Sequence, residues 1–153
     1  WDRTWLDVAG VVARRSRCSR SQVGAVIVDA MNRVVATGYN GPPANWEGVT
    51  SDSCMDWCDR GRSGPTAETL VSYVDCPSSH AEINALMFVD RRVAEGGTIY
   101  ITGHVCWTCA KAIANSGLKR VVVRDDQAAS HRTPERSYEL LERSRIEVSC
   151  EAC

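Results

Sequence analysis

Four side chains in two short stretches of this chain could hold and use a metal ion. His80-Ala81-Glu82 supplies an imidazole and a carboxylate, and Cys106-Trp107-Thr108-Cys109 supplies two thiols. A catalytic Zn²⁺ takes three protein ligands and keeps a fourth position for water, whose pKa falls to about 7. His80, Cys106 and Cys109 are the candidate ligands. Two thiolates offset the charge of the ion, and a C-x-x-C at the start of a helix gains further because the amide dipoles there favour thiolate over thiol. Glu82, in the first turn of a helix two residues after the imidazole, would stand beside the water and not on the metal. That is the place of a proton carrier. A lone C-x-x-C would point to a structural zinc. With the His-Glu pair at one helix start and the thiol pair at the next strand-to-helix turn, a catalytic site is the better reading.

Other elements must place these groups. Over residues 4–15, Leu6, Val8, Ala9, Val12 and Ala13 recur at helical spacing, and the run closes on arginines that suit a helix C-terminus. Residues 23–28 and 33–38 are short apolar runs rich in β-branched side chains, which predicts a β-hairpin. Turn residues from Gly38 to Pro43 stop its second strand, so Gly38 and Gly41 read as turn glycines. Residues 44–79 show little periodicity and carry Gly48, Gly61, Gly64, Pro65 and Pro77. Such a long insert is uncommon unless something ties it down; one or two helical turns are expected over 66–74.

Helical spacing resumes over 80–92 through Ile83, Leu86, Met87 and Val89, with Ser78 and Ser79 as candidate caps. A buried strand over 98–102, a helix over 106–116 ended by Gly117, a strand over 120–124, a helix over 134–144 and a short strand over 146–148 complete the chain. Alternating strands and helices call for right-handed crossovers and mostly parallel pairing. The expected architecture is α/β: one three-layer α/β/α domain over residues 1–153 with a five-stranded mixed sheet.

With 153 residues, 44% apolar and 24% charged, the chain can bury a real core. Its formal net charge of −1 offers no basic surplus to neutralise a phosphate backbone, so a free nucleotide suits it better than a polymer. No apolar run approaches 18 residues and no signal peptide is recognisable, which excludes a membrane partner and makes the cytoplasm the default location. A chain opening on Trp1 is expected to lack its first residue or residues. Eight cysteines in a reducing compartment read as metal ligands sooner than disulfides.

H-x-E followed by C-x-x-C is the signature of the zinc nucleobase deaminases. The chain resembles the cytidine deaminase superfamily, and within it the deoxycytidylate (dCMP) deaminases. The resemblance runs through Arg17-Cys18, residues 23–27, 36–43 (ATGYNGPP), 80–85 (HAEINA), 109–113 (CAKAI) and 117–122 (GLKRVV), and the G-Y-N-G-x-P segment narrows it to the second group. It implies hydrolysis of dCMP to dUMP and ammonia on zinc, in a homo-oligomer, often a hexamer. Glu82 would pass a proton from water to the ring nitrogen and then to the departing amine. Asn40, with Tyr39 and Gly41 in the same turn, would hold the deoxyribose hydroxyl, and the backbone N–H of Ala81 the pyrimidine carbonyl. Phe88 and Arg91 fall where some relatives contact dCTP or dTTP as effectors at a subunit contact; otherwise Phe88 is a helix core residue and Arg91 a solvated helix end.

The chain also departs from the pattern. Ser-Pro usually precedes the first cysteine of the C-x-x-C, and here His104-Val105 stands there. An imidazole so near the metal could meet the edge of the base and favour a 5-substituted cytosine nucleotide. Cys18, Cys54, Cys58 and Cys76 lie in segments that must converge, and a second, structural zinc among them would order the insert, as in some related enzymes. Cys150 and Cys153 form another C-x-x-C, read first as surface thiols and second as a further metal or intersubunit site. Arg17, Arg20, Lys111 and the Gly41 turn are candidates for the 5′-phosphate. Competing functions are another deaminase, acting on a modified nucleotide, a free nucleoside or tRNA adenosine, and a zinc-stabilised binding module without catalysis.

Overall fold

A computed structural model describes residues 1–47, 49, 51–62, 76–125 and 134–152. Residues 66–74 and Cys153, about which expectations were stated above, lie outside them. Five strands, β1 (Gly24–Val28), β2 (Val34–Tyr39), β3 (Thr98–Ile101), β4 (Arg120–Asp125) and β5 (Glu147–Ala152), form one sheet in the order β2-β1-β3-β4-β5. β1 pairs antiparallel with β2 and with β3, while β3–β4 and β4–β5 are parallel. Only the strand-helix-strand-helix-strand half is parallel, because β1 and β2 are joined as a hairpin. The mixed five-stranded sheet expected from the pattern is present.

Period-two alternation sorts the side chains of the central strands between two cores. Ala25, Ile27, Ile99, Ile101, Val121 and Val123 face one side. There they meet α3 (Ala81–Met87), α5 (Trp107–Ala114) and α6 (Glu135–Arg143). Val26, Val28, Tyr100 and Val122 face the other and pack on α1 (Asp2–Ala13) through Leu6 and Ala9. Each fully buried Val or Ile contributes about 1.5–3 kcal/mol, so these stripes hold the three layers together. An ionic tie reinforces the α1 side: Arg120 on β4 donates twice to Asp2, both at 2.8 Å. Tyr100 also donates to Asp2, and burial first, then that carboxylate, pushes its hydroxyl up to about 12.

Several boundaries differ from those the sequence suggested. α1 starts and ends two residues earlier, because after Ala13 the chain turns so that Ser16 can bury its hydroxyl and donate to Asn40 O. The helix expected over 80–92 is two: α3 ends at Met87, and α4 (Arg91–Ala94) begins anew where Asp90 accepts the Arg92 N–H. A short aspartate competes for backbone donors and restarts the helix there. Ser78 and Ser79 are not its caps; His80 occupies the N-cap. Among the described residues of the insert there is one helical turn, α2 (Asp59–Arg62), which the sequence pattern did not announce. β5 runs four residues past Val148, so Cys150 is an exposed residue of an edge strand paired with Val123 and not part of a frayed end. No helix among the described residues is long and apolar enough to cross a membrane.

Candidate active site

Two helix starts meet to make the site. His80, extended at φ −74° and ψ 155°, is the N-cap of α3, and Cys106, at φ −77° and ψ 163°, is the N-cap of α5 with Cys109 one turn in. His80 Nδ1 lies 3.3 Å from Cys106 Sγ and 3.3 Å from Cys109 Sγ. Zinc–sulfur and zinc–nitrogen bonds at tetrahedral angles place such atoms about 3.5 Å apart, so this donor set fits a zinc ion. All three ligand atoms are within 4.8 Å of one another, and among the described residues no other set of three does this.

The electrostatics follow from the same contacts. Cys106 is pulled down to about 3, first by the hydrogen bond from the Cys109 thiol and further by His80, while its N-cap position adds the Cys109 N–H at 3.5 Å. Cys109, as the donor, is held well above the usual thiol value. Glu82 is 3% exposed, and burial raises its carboxyl above the usual range; the Cys109 thiol hydrogen-bonds to it. A nearly buried carboxyl against a metal ligand is placed to exchange protons with something bound there. The cavity beside these groups holds about 400 Å³ and is lined by Ser79, His80, Ile83, Cys106, Trp107, Thr108 and Cys109.

Backbone contacts bring the turn after β2 to this cavity. Gly41 and Ser79 exchange N–H···O bonds at 3.2 and 2.9 Å, and Asn84 of α3 donates to Tyr39 O at 2.7 Å. Gly38 belongs to β2 and is no turn glycine. A Cβ there would sit 2.3 Å from Ala81 O, so its absence is what lets the first turn of α3 lie against the strand.

The remaining residues named from the sequence fall as follows. Asn40 is half-buried; its Oδ1 accepts the Val23 N–H at 2.8 Å and its Nδ2 donates to Ser21 O at 2.9 Å, which fixes the loop ahead of β1. One N–H and one lone pair of that amide stay available. Asn40, Tyr39, Gly41 and His104 border the site region but do not line the cavity. His104 Nδ1 is 2.8 Å from Tyr138 Oη on α6, and Val105 is buried in the core. Phe88 is 80% exposed at the C-cap of α3, which overturns the reading of it as a core residue; Arg91 is exposed at the start of α4.

Cys54 and Cys58 are buried, Cys18 and Cys76 half-buried. Cys54 Sγ accepts the Ser19 N–H at 3.1 Å, and its own N–H donates to Arg17 O. Burial raises Cys18 and Cys58, with Cys54 next to Cys18 and Cys76 next to Cys58. Sequence reading missed Ser79 and Asn84 as tethers, Trp107 as a cavity wall, and Arg136, whose guanidinium sits 5.0 Å above the Trp107 ring. Only backbone pairing and the approach of α6 reveal them, and neither leaves a local pattern.

The family model described as the cytidine and deoxycytidylate deaminase zinc-binding region matches residues 1–125. The deoxycytidylate deaminase of Mycobacterium phage D29 is 41% identical over 125 residues, 80% of this chain and 92% of that protein. The human deoxycytidylate deaminase is 35% identical over 127 residues, 83% of this chain but 66% of the human protein. In three dimensions the chain is similar to the dCMP deaminase of cyanophage S-TIM5 in complex with dCMP and dUMP, with a TM-score of 0.71 over 97% of this chain and 95% of that one; at 22% identity the likeness concerns the fold.

Proposed function

The chain belongs to the cytidine and deoxycytidylate deaminase family, and on that premise we propose that it hydrolyses dCMP to dUMP and ammonia. The observation that carries this reading is the His80 imidazole 3.3 Å from two thiols with the buried Glu82 carboxyl alongside. His80, Cys106 and Cys109 would hold a zinc ion, which when bound supplies the Lewis acidity that makes water a nucleophile near neutral pH. Glu82 takes a proton from the attacking water and gives it to the ring nitrogen of the cytosine. It then takes the proton of the newly added hydroxyl and delivers it to the departing amine as the C–N bond breaks and the carbonyl forms. The Ala81 N–H, facing the site from the first turn of α3, holds the pyrimidine carbonyl. Trp107 and Ile83 supply an apolar wall that keeps bulk water from the base. Asn40, with Tyr39 and Gly41, takes the sugar hydroxyl with the capacity its loop contacts leave. His104, held by Tyr138, approaches the edge of the base and sets tolerance at C5.

Further assignments rest on the same premise. A second, structural zinc would join ligands from Cys18, Cys54, Cys58 and Cys76. The protein would be a single domain acting in the cytoplasm as a homo-oligomer, with a hexamer as the favoured count. The exposure of Met87 and Phe88 supports a subunit contact there, with Phe88 and Arg91 near a dCTP or dTTP effector. Ammonia release from dCMP, deoxycytidine, CMP, dCTP and 5-methyl-dCMP, each with and without dTTP, tests these readings together. Turnover of dCMP well above the others is expected; no turnover of any cytosine nucleotide by zinc-loaded protein removes the proposal.

A further inference from the structure

Resting on the nucleotide reading above, we propose that Arg136 is the residue that binds the 5′-phosphate of the substrate, holding it at the cavity rim beside Trp107. A phosphate monoester brings a charge of about −1.5 to −2 at neutral pH, and removing it from water without a cation is costly. Among the described residues no lysine or arginine lines the cavity. Arg136 stands against its wall, with its guanidinium carbon 5.0 Å from the centre of the Trp107 ring. A guanidinium stacked on an aromatic face keeps its in-plane N–H groups to donate, and their planar fork matches phosphate oxygens in pairs.

Several other arginines already hold a carboxylate. Arg17 pairs with Asp52 at 3.1 Å, Arg92 with Asp90 at 3.1 Å, Arg124 with Asp7 at 3.0 Å and Arg143 with Glu139 at 3.5 Å. Arg120 is shared between Asp2 and Glu147. Among the described residues no carboxylate pairs with Arg136, although its side chain is exposed. It stands in the first turn of α6, where the amide dipoles point their positive ends at a bound anion. The same helix is tied to the catalytic turn, since Tyr138 meets His104 at 2.8 Å, so the guanidinium is carried by an element in register with the metal ligands. Arg17, the first phosphate candidate named from the sequence, is occupied by Asp52.

The test compares wild type, R136A and R136K on dCMP and on deoxycytidine, which lacks the phosphate. R136A should raise KM for dCMP by about 10- to 100-fold, as loss of a charge-assisted pair does, with kcat within about threefold and deoxycytidine turnover unchanged. R136K, a point charge without the fork, should recover only part of the loss. Calorimetric binding of dUMP should weaken to the same degree while deoxyuridine binding does not move. A dCMP-to-deoxycytidine preference in R136A equal to that of wild type overturns the assignment, and so does an equal fall for both substrates. Wild type that binds dUMP but does not turn over dCMP would be the separate failure of the functional reading; dUMP affinity equal in wild type and R136A overturns the phosphate assignment in that case too.

Discussion

Two groups of cysteines in this molecule are buried alike and organised differently. Cys109 beside His80 is 1% exposed, and Cys54 and Cys58 in the insert are 3% and 4% exposed. Burial therefore does not separate them. What separates them is the backbone behind each. Cys106 and Cys109 ride on the first turn of α5, which leaves β3, a strand whose Ile99, Tyr100 and Ile101 are buried in the two cores. Their sulfurs meet one imidazole atom at 3.3 Å each. The insert thiols sit in turns and loops, with Cys58 just before the short helix α2, secured by N–H···S bonds such as Ser19 to Cys54 and by the close passage of Gly61, where a Cβ would fall 2.5 Å from Cys54 O. Among the described residues no three of their sulfurs come within 4.8 Å. A site on rigid elements is formed before its ion arrives, whereas a site in an insert gains its geometry together with its ion, and binding energy there becomes folding energy.

Substitutions can break this contrast. The largest effect belongs to the preformed site: C106A should lower dUMP formation by about 10⁴-fold or more and remove one zinc per chain, while thermal unfolding moves by only a few degrees. G38A comes next in activity. Its Cβ would meet Ala81 O and Ala85 N at 2.3 and 2.4 Å, so α3 must shift, and a displacement near 1 Å at the reacting groups should cost about 10²-fold in kcat/KM. The double change C54A/C58A should do the reverse, lowering stability by about 2–5 kcal/mol in denaturant titration with the folded fraction keeping kcat within about threefold. If C54A/C58A instead abolished turnover at full folding, the two regions would be one functional unit.

The smallest effect sharpens the comparison from outside both regions. Asp2 is held below the ordinary carboxylate range, chiefly by the hydrogen bond from Arg120. A carboxylate lowered in the folded state stabilises above its unfolded value, about 3.9, and its contribution disappears as pH falls through the folded value. D2N should therefore be less stable than wild type by about 1 kcal/mol at pH 7, with the difference closing as pH falls through the lowered folded-state value and no change in zinc content.

The catalytic half of this contrast was legible in the sequence because its residues are local: H-A-E and C-x-x-C each span one helical turn, and short apolar runs rich in β-branched residues betray the central strands of the sheet. The five-stranded sheet followed from the same runs. Features that depend on pairing across the chain were not legible. Gly38 looks like a turn glycine beside Tyr39-Asn40-Gly41, yet it is a strand residue on which α3 rests. Val89 continued the apolar period of α3, but α3 stops at Met87 and Asp90 caps a new helix. β5 alternates Ser149 and Glu151 with Val148 and Cys150 at the sheet edge, so its polar half hid its length. Trp107 and Arg136, 29 positions apart, share no pattern that announces their contact.

Proton transfer by Glu82 at the triad is the central claim, and E82Q measures it most directly because glutamine keeps the shape and cannot carry the proton. Purified E82Q is expected to hold the same zinc per chain as wild type and to form dUMP from dCMP about 10²- to 10⁴-fold more slowly. Wild-type turnover by fully zinc-loaded E82Q would contradict it.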